Sequence, residues 1–222
     1  DHRRINISFD EWNVWYMNRP RPVEQETPEW SVAPRKLEDV YTVTDAVVVG
    51  SLLITLLRHC DRVTAAALAQ LVNVIAPIMT EPGGPAWRQT TFYPFADAAR
   101  FGRGQVLQLV TSGPTHDTAA YGTVPVLHAT AVLGADGALT LFAVNRDLAN
   151  ALPLSVDLRA FGPVSAVDHR VLADADRHAR NTLENPERVV PRTVTGAAVE
   201  NGRLSVELLP LSWNTIRLTP AA

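Results

Sequence analysis

The sequence is poor in cysteine, with one, Cys60, among 222 residues. A single thiol cannot close an intrachain disulfide, so an oxidising compartment is not required and a cytoplasmic location is expected. Cys60 sits late in an apolar helical run with only His59 nearby as a base, and reads as a small buried hydrophobe rather than a nucleophile. Long hydrophobic runs are also missing. The longest apolar stretch, residues 45–57, is too short and too interrupted to cross a membrane. Charge of one sign is not concentrated anywhere: the net charge is −3 with acids and bases mixed along the chain. No basic patch interleaved with aromatics is present, which argues against nucleic acid as a partner. The glycines form no phosphate-binding or dinucleotide pattern, and Gly83-Gly84 is a turn. His128, His169 and His178 are scattered without metal-ligand spacing and read as surface or core histidines, so neither a metal nor a cofactor is expected. The polar start, residues 1–6, lacks an initiator methionine and a basic-then-apolar signal region, so the chain need not begin where its gene does.

What is present is ordinary globular material, 46% hydrophobic and 19% charged, enough for one large domain or two small ones. Residues 4–12 alternate Ile5, Ile7 and Phe9 with Asn6, Ser8 and Asp10, the period of a strand. Residues 17–34 hold Pro20, Pro22, Pro28 and Pro34 and read as a long irregular loop. Val40, Val43, Val47, Leu53, Ile54 and Leu57 fall at helical spacings and predict a helix over 37–59. Residues 64–74 suit a buried strand, although composition would also allow a helix. Residues 75–85 read as a loop. Pro85 and Ala86 open a predicted helix over 86–101, which Pro94 would kink or interrupt and which Gly102 and Gly104 end.

After Gly104 the character changes. Short β-prone segments at 105–109, 124–133, 139–145, 152–158, 165–171, 189–194, 198–200, 204–208 and 213–218 are separated by turns such as Gly134-Ala135-Asp136-Gly137 and Asn201-Gly202. The expected fold class is therefore α/β plus all-β, with a strand–helix–strand–helix part over 1–103 and an antiparallel sandwich over 104–222 whose core is largely its own. Two βα units are what a (β/α) barrel or a doubly wound sheet is built from, and two cannot close a barrel. The remaining strands would have to precede Asp1.

Asp10 and Glu11 stand at the C-terminal end of the first strand, the end that carries the active site in α/β barrels, with Trp12, Trp15 and Tyr16 close behind. Carboxylates there can act as nucleophile or acid/base, and aromatic faces beside them are usual in sugar sites. Solvation of a strand end and core packing of the tryptophans is the competing reading, and alternation does not choose between the two acids.

The stretch Ile5-Asn6-Ile7-Ser8-Phe9-Asp10-Glu11-Trp12-Asn13-Val14-Trp15-Tyr16 resembles the nucleophile strand of α-L-arabinofuranosidases of glycoside hydrolase family 51. Leu68-Ala69-Gln70-Leu71-Val72-Asn73-Val74-Ile75-Ala76-Pro77-Ile78 and Gly83-Gly84-Pro85-Ala86-Trp87-Arg88-Gln89-Thr90 resemble further family motifs, and Leu183-Glu184-Asn185-Pro186 and Leu211-Ser212-Trp213-Asn214-Thr215-Ile216-Arg217-Leu218 resemble its last strands. The resemblance spans nearly the whole chain in order. It implies the C-terminal part of a (β/α)8 barrel, strands seven and eight, followed by a jelly-roll-like β-sandwich. It also implies that Glu11 is the nucleophile of a retaining hydrolase that removes terminal arabinofuranosyl units, with Trp15 and Gln70 lining the sugar subsite. The acid/base glutamate would lie upstream of Asp1. The implied partner is an arabinofuranosyl-containing oligosaccharide or polysaccharide, and the implied full-length enzyme is a homo-oligomer. Glu81, in the loop after the second strand, is a weaker substrate contact, and Trp87 is either core or rim. The alternative from another class is a non-catalytic carbohydrate-binding sandwich in which residues 104–222 do the work.

Overall fold

The structure is a computed structural model that describes residues 5–16, 30, 32 and 34–221. Most of the predicted loop at 17–34 lies outside the described residues. Strand β1, Ile7–Trp12, pairs in parallel with β2, Val63–Leu68, with Ile7 opposite Val63 and Trp12 opposite Leu68. Helix α1, Val43–Arg58, connects them, and α2, Phe92–Phe101, follows. Trp12 packs between the helices against Val49 and Leu53 of α1 and Phe95 of α2.

Several local expectations need correction. The predicted helix at 37–59 starts only at Val43, because Leu37 sits at φ 56 and the N-terminus is set by Thr42, whose N–H donates to the Asp45 carboxylate at 2.7 Å. β2 is a strand but is not buried. Thr64, Ala65, Ala66 and Ala67 are exposed, because a two-stranded sheet covers them with helices on one face only. Residues 75–85 are not all loop: β3, Ile78–Thr80, pairs antiparallel with β4, Ala86–Arg88, so the residues expected to open the second helix are in a hairpin and the helix begins at Phe92. Pro94 therefore falls in the first helical turn, where its missing N–H has no intrahelical acceptor, and it breaks nothing. Cys60 is exposed, just past the end of α1, rather than buried.

The β-rich part forms two facing antiparallel sheets. The larger contains β5 (Gln105–Leu107), β8 (Leu127–Leu133), β9 (Leu139–Asn145), β11 (Val164–Leu172), β12 (Arg192–Thr193) and β15 (Ser212–Pro220), in the order β12-β11-β15-β9-β8-β5. The smaller has β10 (Leu152–Asp157), β13 (Ala198–Glu200) and β14 (Arg203–Leu208), in the order β10-β14-β13. β6 (Thr115–Thr118) and β7 (Gly122–Pro125) form a separate hairpin. Asn201 and Gly202, both at positive φ, make the tight turn between β13 and β14. The predicted strand at 189–194 shrinks to the two residues of β12.

Leu141, Ala143, Ile216 and Leu218 of the larger sheet meet Leu152, Leu204, Val206 and Leu208 of the smaller one in the sandwich core. The expectation of a self-contained sandwich holds for this inner face alone. On the outer face Val132, Phe142, Val144, Leu172 and Trp213 pack against Val43, Ala46, Val47 and Ile54 of α1. Every residue of β9 is consequently buried, which explains its apolar run from Leu141 to Val144, whereas β14 has one solvent face and alternates. Gly50 permits this contact: a Cβ there would lie 2.4 Å from the Trp213 ring. No described helix is long and apolar enough to cross a membrane.

Candidate active site

Because β1 and β2 run parallel, their C-terminal ends lie together, and the loops that leave them converge. Glu11 is the penultimate residue of β1 and is exposed; Gln70 follows β2 by two residues and is exposed too. Trp15 lies just beyond β1 and is 46% exposed. The three residues singled out in the sequence are thus brought to one end of the two-stranded sheet. Asp10 is exposed beside Glu11, and the register shift between Phe9 and Trp12 interrupts alternation, so period-two reasoning does not separate the two acids here either. Among the described residues Glu11 has no ion-pair partner, leaving a carboxylate open to a ligand.

Asn13 fastens the two strand ends. Its side-chain amide donates to the carbonyls of Ala69 and Ile75, and its Oδ1 accepts from Val14 N–H at 2.8 Å. Ala69 N–H also donates to the Trp12 carbonyl at 3.0 Å, Gln70 N–H to Ile75 at 3.1 Å, and Ile75 N–H to Leu37 at 2.6 Å. The Ala69–Gln70 peptide is cis. Leu37, Asn73 and Ile75 all adopt positive φ, and for branched Ile75 this is a strained conformation. Strain of this kind gathers where surrounding contacts over-determine a loop, as around binding sites.

Behind this loop, Gln89 is buried, donating to the carbonyls of Asp39 and Ala76 and accepting from Tyr41 N–H. Tyr16 donates through its hydroxyl to Asp45, tying the segment after β1 to the start of α1. Glu81 pairs with Arg35, which also meets Glu38 at 3.3 Å. Burial raises the Glu38 pKa despite Arg35, and the hydrogen bond that Arg35 donates to Glu81 raises that of Arg35. Trp87 is half-buried on β4, and its cross-strand partner is Met79. His128 and His169 lie in the sandwich, away from these loops; burial holds both below the usual imidazole range, His128 at about 4. Sequence reading missed Asn13, Arg35, Glu38 and Gln89 as organisers of this face. Their partners are up to 62 residues away, and no local pattern marks them.

Residues 10–212 match the α-L-arabinofuranosidase C-terminal domain. The chain belongs to this family. It is 60% identical over 220 residues to an intracellular exo-α-(1→5)-L-arabinofuranosidase of Streptomyces lividans, covering 99% of this chain and 33% of that protein. An exo-α-(1→6)-L-arabinofuranosidase of Bifidobacterium longum is 50% identical, with 96% of this chain and 42% of that protein covered. A solved family 51 α-L-arabinofuranosidase from Bifidobacterium longum superposes with a TM-score of 0.85 at 44% identity, covering 96% of this chain and 42% of the other. The chain therefore spans about a third to under a half of the length of these relatives.

Proposed function

We propose that this chain is the nucleophile-bearing portion of a retaining glycoside hydrolase that releases terminal α-L-arabinofuranosyl residues from arabinose-containing oligosaccharides or polysaccharides. The observation that carries the reading is the meeting of Glu11 and Gln70 at the C-terminal ends of two adjacent parallel strands in a chain of this family. In this reading residues 1–103 are the end of a (β/α)8 barrel, with β1 and β2 as its seventh and eighth strands, and residues 104–222 are the jelly-roll-like sandwich. The exposure of Ile7, Phe9 and the alanines of β2 supports it, since further barrel strands would cover them.

Chemically, a Glu11 oxygen attacks the anomeric carbon while a carboxylic acid outside this chain, about 5–5.5 Å away, protonates the departing oxygen. Water, deprotonated by that same group, then cleaves the glycosyl ester and frees Glu11. The Gln70 amide can donate to the furanose ring oxygen or a hydroxyl, and the Trp15 ring can pack against the sugar. The intracellular designation of several relatives supports action in the cytoplasm, and the complete enzyme is taken to be a homo-oligomer. A sandwich acting alone as a binding module is not favoured, because the family match covers both parts.

The test is Glu11→Ala in the protein as its gene encodes it. Turnover of an aryl α-L-arabinofuranoside should nearly vanish, and added azide should restore part of it by replacing the carboxylate. Near-normal turnover would remove Glu11 from the mechanism, and Asp10→Asn is the neighbouring control.

A further inference from the structure

A cleft of about 360 Å³ opens where three segments meet, with Arg35, Glu38, Glu81, Trp87, Arg180 and Glu184 on its walls. Residues 34–42 lead from β1 into α1, and residues 69–91 lead from β2 into α2. The second of these leaves the C-terminal end of β2, and Ile75 N–H within it donates to the Leu37 carbonyl of the first at 2.6 Å, so the cleft belongs to the same face as Gln70 and Glu11. A second hollow of about 310 Å³ shares Arg35 and Glu38 and extends toward Asn73 and Val74, in the loop that begins at Gln70. The third wall comes from the sandwich. Segment 179–184, after β11, is held there by the bridge between Thr42 and Arg180, by Val43 N–H donating to the Ala179 carbonyl at 2.9 Å, and by the Asn181 amide donating to the Arg88 carbonyl at 2.9 Å.

The chemistry of the walls selects a ligand. On one side Arg35 is already engaged by Glu38 and Glu81. On the other, Arg180 and Glu184 are exposed and have no ion-pair partner among the described residues. An anion entering here meets three carboxylates, and a cation meets two guanidinium groups. A neutral polyol suits both, since carboxylates accept from hydroxyls, guanidinium groups donate to their oxygens, and the Trp87 ring offers a face for C–H groups. The volume is at the lower end of the range of small-molecule sites, roughly 300–1,000 Å³.

The geometry points to a distal sugar subsite in this cleft: it takes a unit of an arabinofuranosyl oligosaccharide beyond the terminal one, with the sandwich's Arg180 and Glu184 as contacts. This inference rests on the glycosidase reading above. It assigns the sandwich a part in substrate selection.

The experiment compares Arg180→Ala, Glu184→Gln and Trp87→Leu with wild type, in the protein as its gene encodes it, on an aryl α-L-arabinofuranoside and on a linear arabino-tetrasaccharide. Arg180 and Glu184 are surface residues, so their variants keep the fold even if the Trp87 variant does not. For Arg180→Ala, KM for the tetrasaccharide should rise about tenfold, the equivalent of one charge-assisted hydrogen bond, with kcat and the aryl-substrate constants unchanged. Equal changes on both substrates, or no change on either, overturn the subsite. A wild type inactive on both sinks the glycosidase reading instead. Calorimetric titration with the tetrasaccharide then decides the cleft: binding lost in Arg180→Ala upholds it, and no binding to wild type overturns it.

Discussion

In the proposed site, Asn13 would set the geometry without touching the reacting atoms. Both its N–H groups are committed to carbonyls of the loop that carries Gln70. Asn13→Asp replaces that donor with a carboxylate facing two carbonyl oxygens, so the loop must move. A displacement near 1 Å in a positioned group can cost about 10²-fold in rate. The variant should therefore lose up to that much kcat on an aryl arabinofuranoside, with a smaller change in KM. Unchanged kcat would mean that the Ala69–Trp12 backbone bond suffices. His128 offers a test of a different kind. Burial, reinforced by the Arg146 and Arg58 charges, lowers its pKa from 6.5 to about 4. The unfolded chain thus binds the extra proton first as pH falls. The contribution of neutral His128 is fully present above pH 6.5 and is lost progressively toward pH 4. Thermal midpoints should fall more steeply across that window in wild type than in His128→Gln; parallel curves would show that His128 is not buried neutral.

At the scale of elements, α1 is the joint of the molecule. Its first turn is organised by Asp45, which accepts from Thr42 N–H, Thr42 Oγ1 and the Tyr16 hydroxyl. Asp45→Ala removes a capping carboxylate and orphans three donors, and denaturant titration should show a loss of about 1–3 kcal/mol. Further along, helix propensity alone would favour alanine over Gly50 by about 1 kcal/mol. The ring of Trp213 cannot yield readily, because its Nε1 donates to Asp97 at 3.1 Å and it stacks on Phe142. Asp97 in turn accepts from Thr215 at 3.1 Å and pairs with Arg170 at 3.2 Å, binding α2 to the larger sheet, while burial pushes its pKa up. Gly50→Ala should therefore destabilise, by about 1–3 kcal/mol of overpacking. A stabilised variant would mean that the helix slides freely over the sheet.

For the whole molecule, the larger sheet of the sandwich has two buried faces, and the smaller sheet covers only one. Residues 104–222 expressed alone should expose Val132, Phe142, Val144, Leu172 and Trp213 where α1 now lies. Binding of a hydrophobic dye and a raised tendency to associate should follow, relative to residues 1–222. A monomeric, dye-silent 104–222 would show that the outer face is covered by other means. On the proposed reading, residues 1–222 by themselves should be inactive on natural arabinosides, since leaving-group protonation would fall to water at a loss on the order of 10²–10⁴-fold. Ordinary arabinose release from the isolated, purified chain would place a second catalytic carboxylate within it.

Local pattern carried a good deal of this. Alternation at Ile5, Ile7 and Phe9, the i, i+4 spacing of Val43 and Val47, and the Asn201-Gly202 turn each reflect the geometry of a few adjacent residues, and a strand, a helix and a turn form there, the strand beginning only at Ile7 and the helix at Val43. The motif around Glu11 marked the family, because a long ordered string of residue types is itself local information. What tertiary structure decided was everything that depends on a partner distant in the chain. Burial of β2 failed as an expectation because exposure depends on which strands stand alongside, not on the strand's own alanines. The starts of α1 and α2 moved because Leu37 and Ala86 answer to Ile75 and Thr80, residues they meet only after folding. Asn13, Gln89 and the cleft between the strand loops and the sandwich have no signature of their own, since an amide or a guanidinium acquires its role from the carbonyls and carboxylates that the fold brings to it.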